Sequence, residues 1–178
     1  MSEAGLPRPK AGDHAPYYDH YVSLVPEAEV LPVLAAQRGE VRRALAGVKE
    51  QDAGFRYAEG KWSIREVIGH LADSERVFAY RALCFARGEQ APLPAFDENA
   101  YVRQAGFDAV PLAALLDGFE ATRDASLQLF RQLSAEAWRR SGTASGKSMA
   151  VRSLAFIIPG HVRHHLGILR DRYHVGAL

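Results

Sequence analysis

The chain has 178 residues, 48% of them hydrophobic, and its length is typical of one domain that needs no disulfide or structural metal to remain folded. Its single cysteine, Cys84, excludes a disulfide framework, an iron–sulfur cluster and paired-cysteine zinc motifs within one chain. The formal net charge of +1 argues against general nucleic-acid binding.

The first segment in chain order, residues 1–26, contains Pro7, Pro9 and Pro16 and shows no hydrophobic period. We interpret it as an irregular N-terminal arm, followed by a single bundle domain over residues 27–178. The arm has no apolar run of the signal-peptide type, and no later segment approaches the about 18 apolar residues of a membrane span. With one cysteine, these features predict a soluble cytoplasmic protein with no membrane partner.

Two long amphipathic segments follow the arm. The first predicted helix begins near Pro26, and its apolar residues recur at helical spacing up to Val48. The second begins at Ser63, because Ser63 and Glu66 have the spacing of a capping box, and it ends near Arg87. About twenty residues, 89–110, then form a connection long enough to be a crossover or a functional loop.

The third predicted helix follows Pro111 and carries an apolar stripe that ends at Leu133. A second irregular stretch, residues 142–148, precedes a fourth helix from about Val151 to Arg172. No segment shows the alternating pattern of a β-strand. The sequence therefore predicts an all-α protein, and four amphipathic helices of this length are typical of a four-helix bundle.

Two histidines lie on the buried stripe of the fourth helix. His161 and His165 are four residues apart, which places both rings on one side of the helix, one turn apart, as a shared metal ion requires. The alternative is a pair of core histidines hydrogen-bonded to backbone or to each other. His14, His20 and His174 lie in the arm and the tail and show no spacing that indicates a functional role.

The position of His70 in the second helix favours the metal-site interpretation over the pair of core histidines. It lies seven residues after Ser63, and His165 lies seven residues before Arg172, so in antiparallel helices both rings lie about 10 Å from the same end. Three neutral imidazoles suit a divalent Zn, Ni or Fe ion with open positions, as in catalytic sites.

Three further residues of the helices that carry these histidines are considered for the site. His164 could support a ligand, carry a proton or lie at the surface, and Asp73 could orient a ligand imidazole or face the solvent. Cys84 lies about 21 Å along the helix from His70 and is better explained as a small buried hydrophobe.

The long connection also predicts the helix order. If it spans the length of the bundle, the third helix runs parallel to the second and the fourth returns, which gives an up-down-down-up topology. Glu75 and Arg123 each lie twelve residues into their helices, after Ser63 and Pro111, and we expect them to pair inside the bundle. The alternative is that one or both turn outward.

Three segments together resemble the DinB-like (DinB/YfiT) superfamily of metal-dependent enzymes. They read KWSIREVIGHLADSER at 61–76, FDENAY at 96–101 and GHVRHHLGI at 160–168. The resemblance implies a four-helix bundle of up-down-down-up topology, homodimers, and a divalent metal held by His70, His161 and His165. Pro159 departs from a regular helix just before His161 and should kink it.

The resemblance also suggests chemistry. Such a metal site could activate a low-molecular-weight thiol, such as mycothiol or bacillithiol, in a transferase, or water in a hydrolase, acting on a small-molecule substrate. The basic C-terminal quarter fits an anionic cofactor or is a solvated helix face. The sequence assigns no catalytic or cofactor-binding residue. The alternative function is a non-catalytic bundle that acts through a dimer or partner interface, with a structural metal or none.

Overall fold

The computed structural model describes residues 8–175, and long helices form its body. The long helices are α2 (Val30–Ala44), α3 (Ile64–Ala86), α5 (Leu112–Arg131) and α7 (Val151–Tyr173). The shorter elements are α1 (Asp19–Ser23), α4 (Glu98–Ala105), α6 (Ala135–Arg139), β1 (Ser141–Ala144) and β2 (Lys147–Ala150). No helix within residues 8–175 is long and apolar enough to cross a membrane.

Helix α3 begins at the predicted capping box. The Ser63 hydroxyl accepts a hydrogen bond from the Glu66 N–H at 3.1 Å, and the Glu66 carboxylate accepts one from the Ser63 N–H at 2.7 Å. Gly88 follows the helix end with a φ of +87°, the left-handed conformation that favours glycine. Local chemistry therefore fixes both ends of the helix that carries His70.

Side-chain pairs fix the directions of α2, α3 and α5. Arg42 on α2 reaches Asp117 on α5 at 2.6 Å, whereas the earlier Arg38 reaches the later Asp124 at 2.8 Å, so these helices are antiparallel. Helices α3 and α5 are parallel, because Glu50 accepts hydrogen bonds from Arg65 in the first turn of α3 at 2.7 Å and from the N–H of Leu112, the first residue of α5, at 3.1 Å. Glu75 and Arg123 join the two helices near the middle of both. This confirms the predicted buried pair.

Helix α7 runs antiparallel to α3. Tyr173, the last residue of α7, donates its hydroxyl hydrogen to the carbonyl of Trp62, which immediately precedes the α3 cap, at 2.6 Å. Toward the middle of both helices, His161 meets His70. The helices thus have the predicted up-down-down-up order, and α7 continues through Pro159.

A buried polar cluster connects the four long helices. Arg123 donates from Nε and Nη2 to the two Glu75 carboxylate oxygens, each at 2.8 Å. Its Nη1 donates to the Leu34 carbonyl and the Gln37 side-chain oxygen, each at 3.0 Å. Gln37 in turn donates to the Pro159 carbonyl on α7 at 3.0 Å. We refer to Glu75, Arg123 and Gln37 as the ion-pair cluster.

The second predicted irregular stretch is a β-hairpin, so the prediction of irregular backbone was wrong there. Strands β1 and β2 pair antiparallel around Ser145 and Gly146, which have φ values of +54° and +70°. Two residues of positive φ form the tight turn that matches strand twist. Each strand has only four residues, too few to show an alternating pattern, and Ser145-Gly146 is the sequence signal that could have indicated it.

The first connection and the arm are also more ordered than predicted. Asp97 caps α4 by accepting a hydrogen bond from the Ala100 N–H at 3.0 Å, and Gly106 ends that helix with a φ of +66°. The segment predicted as an irregular arm contains a turn of 3-10 helix (Pro16–Tyr18) and α1, which packs on α7. The first long helix begins at Val30 rather than near Pro26.

Candidate metal centre

Three histidine rings converge between α3 and α7. The Nε2 atom of His161 lies 3.1 Å from Nε2 of His70 and 3.1 Å from Nε2 of His165. One ring nitrogen from each residue lies within 4.8 Å of the other two. The residues are 4%, 6% and 9% exposed for His70, His161 and His165. The predicted trio is therefore one buried cluster.

Burial keeps these imidazoles neutral near pH 7. Desolvation lowers the pKa of His70 to about 4. Desolvation, with a smaller contribution from the neighbouring histidines, also holds the pKa of His161 and His165 well below the usual range. A neutral imidazole has one N–H group and one lone pair, which is the form that binds a metal ion.

Hydrogen bonds within the cluster cannot account for its geometry. The Nε2 atom of His161 faces two other ring nitrogens, but it carries either one hydrogen or one in-plane lone pair. At most one of these two contacts can therefore be a good hydrogen bond. A cation placed among the rings would accept a lone pair from each, so the donor set fits a divalent ion of the Zn, Ni or Fe(II) type.

Neighbouring side chains hold the rings in place. The Ser74 hydroxyl lies 3.3 Å from Nδ1 of His70, one helical turn away, and can fix the orientation of that ring. Trp62 lies 4.5 Å from His70 between ring centroids and stacks at 6.3 Å on His165. On the α7 side, Phe78 meets His161 edge to face at 5.9 Å.

Helix α1 covers the cluster because α7 has a glycine at position 160. A Cβ atom on Gly160 would lie 1.9 Å from the Tyr21 carbonyl oxygen, so no other residue allows this approach. The Tyr21 ring then reaches His161 at 5.4 Å, and burial raises the pKa of its phenol to about 12. Gly160 thus allows the arm to pack closely against the site.

His164 and Asp73 lie in different surroundings. His164 borders the trio, with its ring 5.1 Å from that of His165, and its Nδ1 is 3.1 Å from Nε2 of His20 in α1. Burial lowers the pKa of His164. Asp73 instead pairs with Arg76 at 2.9 Å, one turn along α3, and is not among the cavity-lining residues that the structure describes.

A cavity of about 310 Å³ opens beside the three rings. Its wall combines the histidines with residues from the arm, from α3 and the segment just before it, from the first connection and from the hairpin: Tyr18, Tyr21, Trp62, Ser74, Phe78, Arg81, Phe96 and Lys147. Cys84 is absent from the described residues that line it and is partly buried against the core.

Sequence reasoning missed several of these wall residues. Ser74, Phe78 and Arg81 follow His70 by 4, 8 and 11 positions, a helical spacing that could have placed them on the same face. The residues from the arm and the hairpin carry no comparable pattern, because their position depends on tertiary contacts.

The sequence model of the DinB superfamily matches residues 34–169, which is more than half of the chain. A protein of Geobacillus kaustophilus with the name "Putative metal-dependent hydrolase" is 27% identical over 143 residues, covering 77% of this chain and 80% of that protein. A protein of Oceanobacillus iheyensis with the same descriptive name is 25% identical over 125 residues, covering 69% and 71%.

Solved structures share the fold at low sequence identity. YfiT from Bacillus subtilis, described as a probable metal-dependent hydrolase with an unusual four-helix bundle topology, superposes with a TM-score of 0.71 at 17% identity over 96% of this chain and 94% of that one. A mycothiol-dependent maleylpyruvate isomerase superposes with a TM-score of 0.65 at 20% identity, over 78% of this chain and 58% of that one.

Proposed function

Because the chain belongs to the DinB superfamily, we propose that it is a metal-dependent enzyme in which His70, His161 and His165 hold one divalent cation. The observation that carries the proposal is the convergence of three buried, neutral ring nitrogens whose contacts cannot all be hydrogen bonds. The donor set favours Zn, Ni or Fe(II).

When bound, such an ion would supply Lewis acidity and lower the pKa of a coordinated thiol or water to near neutrality. The protein's own residues would orient the rings, exclude water and carry protons. Ser74 orients the His70 ring, and Trp62 and Tyr21 shield the cluster from bulk water. His164 lies beside the cluster in contact with His20 and is our candidate for carrying a proton to or from the site.

Two reaction types fit this site. In the hydrolase version the activated group is water, in keeping with the names of the two bacterial relatives. In the transferase version it is the sulfur of a low-molecular-weight thiol, and the mycothiol-dependent structural neighbour is the reason to test it. Cys84 lies outside the cavity wall, so the thiol in that version would enter as a small molecule. A cavity of about 310 Å³ suits a small substrate in either version.

Homodimerisation and a cytoplasmic location remain predictions from the resemblance and the composition. Sedimentation of the purified protein would test the dimer. A non-catalytic bundle is the alternative function, and it predicts that metal removal leaves every measured property except stability unchanged.

Cobalt substitution tests the proposed function. Metal-free protein is titrated with Co(II), and the visible spectrum is followed while glutathione, mycothiol or bacillithiol is added. A 1:1 complex that gives a thiolate-to-cobalt band supports the transferase version. A 1:1 complex that is insensitive to thiols favours the hydrolase version. Failure to form any 1:1 complex would overturn the proposal.

A matched pair of variants controls the titration. His161→Ala should abolish the cobalt spectrum, because it removes the ring that contacts both others. His174→Asn should leave it unchanged, because His174 lies past the end of α7 at a φ of +57°, a conformation that asparagine tolerates.

A further inference from the structure

A buried arginine forms part of the cavity wall beyond the histidines. Arg81 lies on α3, eleven residues after His70, and is 2% exposed. Its Nη2 donates to the Pro94 carbonyl at 3.0 Å and to the Ser145 hydroxyl at 2.9 Å. The guanidinium is thereby held between the first connection and the turn of the hairpin.

Arg81 differs from the other fully buried arginine, Arg123, in its partners. Arg123 forms a bidentate pair with Glu75, whereas within residues 8–175 no carboxylate lies within 4.0 Å of Arg81. A guanidinium stays charged in proteins, and a buried charge without a counter-ion is costly. The fold therefore retains a positive charge in this wall that the described residues do not neutralise.

The guanidinium also has hydrogen-bonding capacity left. The two hydrogen bonds described above use Nη2. Within residues 8–175 neither Nε nor Nη1 donates a hydrogen bond of good geometry, although the Tyr18 hydroxyl lies close to the guanidinium. Neither of these two nitrogens is a solvent-inaccessible atom without a hydrogen-bond partner. They can reach a ligand in the cavity.

A second positive charge lies in the same wall. Lys147, an exposed residue at the start of β2, lines the cavity, and its Nζ lies 4.4 Å from the centre of the Tyr17 ring. Among the described lining residues the one acid is Glu98, which is exposed and more than 4.0 Å from either cation. The charge at this end of the cavity is therefore positive.

We propose that Arg81 and Lys147 bind an anionic group, a carboxylate or a phosphate, of the small molecule on which the three-histidine centre acts. This rests on the proposed function for the reaction, but the anion site itself requires no metal. Eleven residues of α3 separate the Cα atoms of His70 and Arg81 by about 16 Å, and helical side chains lean toward the N-terminus, which brings the guanidinium nearer to His70. The substrate class is thus a small anion whose charged group binds several atoms away from its reacting group.

The experiment uses metal-free protein at constant ionic strength, so that no metal ion can bind the anion. Inorganic phosphate and malonate are titrated separately, with neutral malonamide as the uncharged probe, and tryptophan fluorescence is recorded. Trp62 lies in the cavity wall, whereas the other tryptophan, Trp138, stacks on Phe130 outside that wall and gives a constant background. We expect saturable binding of at least one anion and none of malonamide. The tighter of the two anions identifies the charged group of the substrate.

Variants assign the binding to this wall. Arg81→Gln should weaken anion binding by about tenfold or more, because a charge-assisted hydrogen bond is lost. Lys147→Gln should weaken it by a smaller factor, and it leaves the Arg81 hydrogen bonds to Pro94 and Ser145 intact, so it tests the proposal even if Arg81→Gln fails to fold. The exposed Arg131→Gln on α5 is the charge-matched control and should bind as the wild type does.

The outcomes separate this inference from the proposed function. Anion binding that is weakened in the two wall variants supports the anion site, whether or not the protein binds cobalt. Wild-type protein that binds neither anion, or wall variants that bind as tightly as wild type, would overturn it. A cobalt complex in that same protein would leave the metal proposal standing.

Discussion

The ion-pair cluster and the three-histidine cluster are both buried in the bundle and both include a residue of α3, but their polar groups match differently. In the first, a carboxylate, a guanidinium and an amide have complementary charges and hydrogen-bonding groups, and each guanidinium nitrogen has an acceptor. In the second, three identical neutral rings face one another. Folding alone explains a cluster of complementary groups, whereas three converging neutral imidazoles form a donor set that fits a cation.

The largest expected effect comes from breaking the ion-pair cluster. Glu75→Gln leaves the Arg123 guanidinium buried without its counter-charge, and it should lower the free energy of unfolding of metal-free protein by about 3–5 kcal/mol. Urea denaturation measures this. Unchanged stability would show that the two clusters do not differ as described.

Because of the histidine cluster, acid should lower the free energy of unfolding of the metal-free protein. The pKa of His70 is about 4 in the folded chain against 6.5 as its ordinary value, so below pH 6.5 the unfolded chain binds a proton that the folded chain does not. The stability that the neutral His70 ring contributes is therefore present above pH 6.5, decreases as the pH falls below 6.5 and is lost as the pH falls through 4. His161 and His165 shift in the same direction. From pH 6.5 to 4.5, His70 alone should lower the free energy of unfolding by about 2 kcal/mol.

The measurement is urea denaturation at several pH values in that range. The range lies at or above 4.5, the ordinary value for Glu27, whose pKa of about 2 in the folded chain contributes mainly at lower pH. A free energy of unfolding that stays constant between pH 6.5 and 4.5 would contradict the account. The His70→Leu variant should show a shallower dependence than the wild type.

A smaller effect is expected where the arm meets the site. Gly160→Ala places a Cβ atom 1.9 Å from the Tyr21 carbonyl oxygen, so α1 must move away, at a cost of about 1–3 kcal/mol. Gly167→Ala is the matched control on the same helix, since a Cβ there meets nothing within 4 Å. It should instead stabilise α7 by about 0.5–1 kcal/mol. Equal behaviour of the two variants in thermal unfolding would contradict this account of the arm.

The smallest effect is expected within the histidine cluster itself. His70→Leu in metal-free protein removes one of three mismatched rings and should change the free energy of unfolding by less than about 1 kcal/mol, because an apolar group replaces a buried polar one. The same variant should lose metal-dependent stabilisation. A loss as large as that of Glu75→Gln would mean that the rings stabilise the fold without a metal.

Much of the fold could be predicted because its determinants are local. The capping box at Ser63 and the i, i+4 spacing of His161 and His165 are each patterns within a single helix. His70 was assigned to the same site because it lies at the same distance from the end of the bundle as His165. The same argument of equal depth found the pair of Glu75 and Arg123, which the structure confirms.

What could not be predicted depends on contacts between distant segments. In the sequence, Arg81 is one basic residue on a predicted helix. Only the folded chain brings Pro94 of the first connection and Ser145 of the hairpin to its guanidinium. The reach of Tyr21 to the site depends on Gly160, 139 positions away. The hairpin itself is held between two separate bridges, one to His14 and one to Leu93.

Metal analysis of protein purified without a polyhistidine tag tests the central claim most directly. After exposure to Zn, Ni or Fe(II) and removal of the excess, wild-type protein should retain one equivalent of metal and His161→Ala should retain none. Glu75→Gln, if folded, should retain the ion, because that residue belongs to the other cluster. Wild-type protein without metal, or His161→Ala with as much metal as the wild type, would contradict the claim that the three histidines form a metal centre.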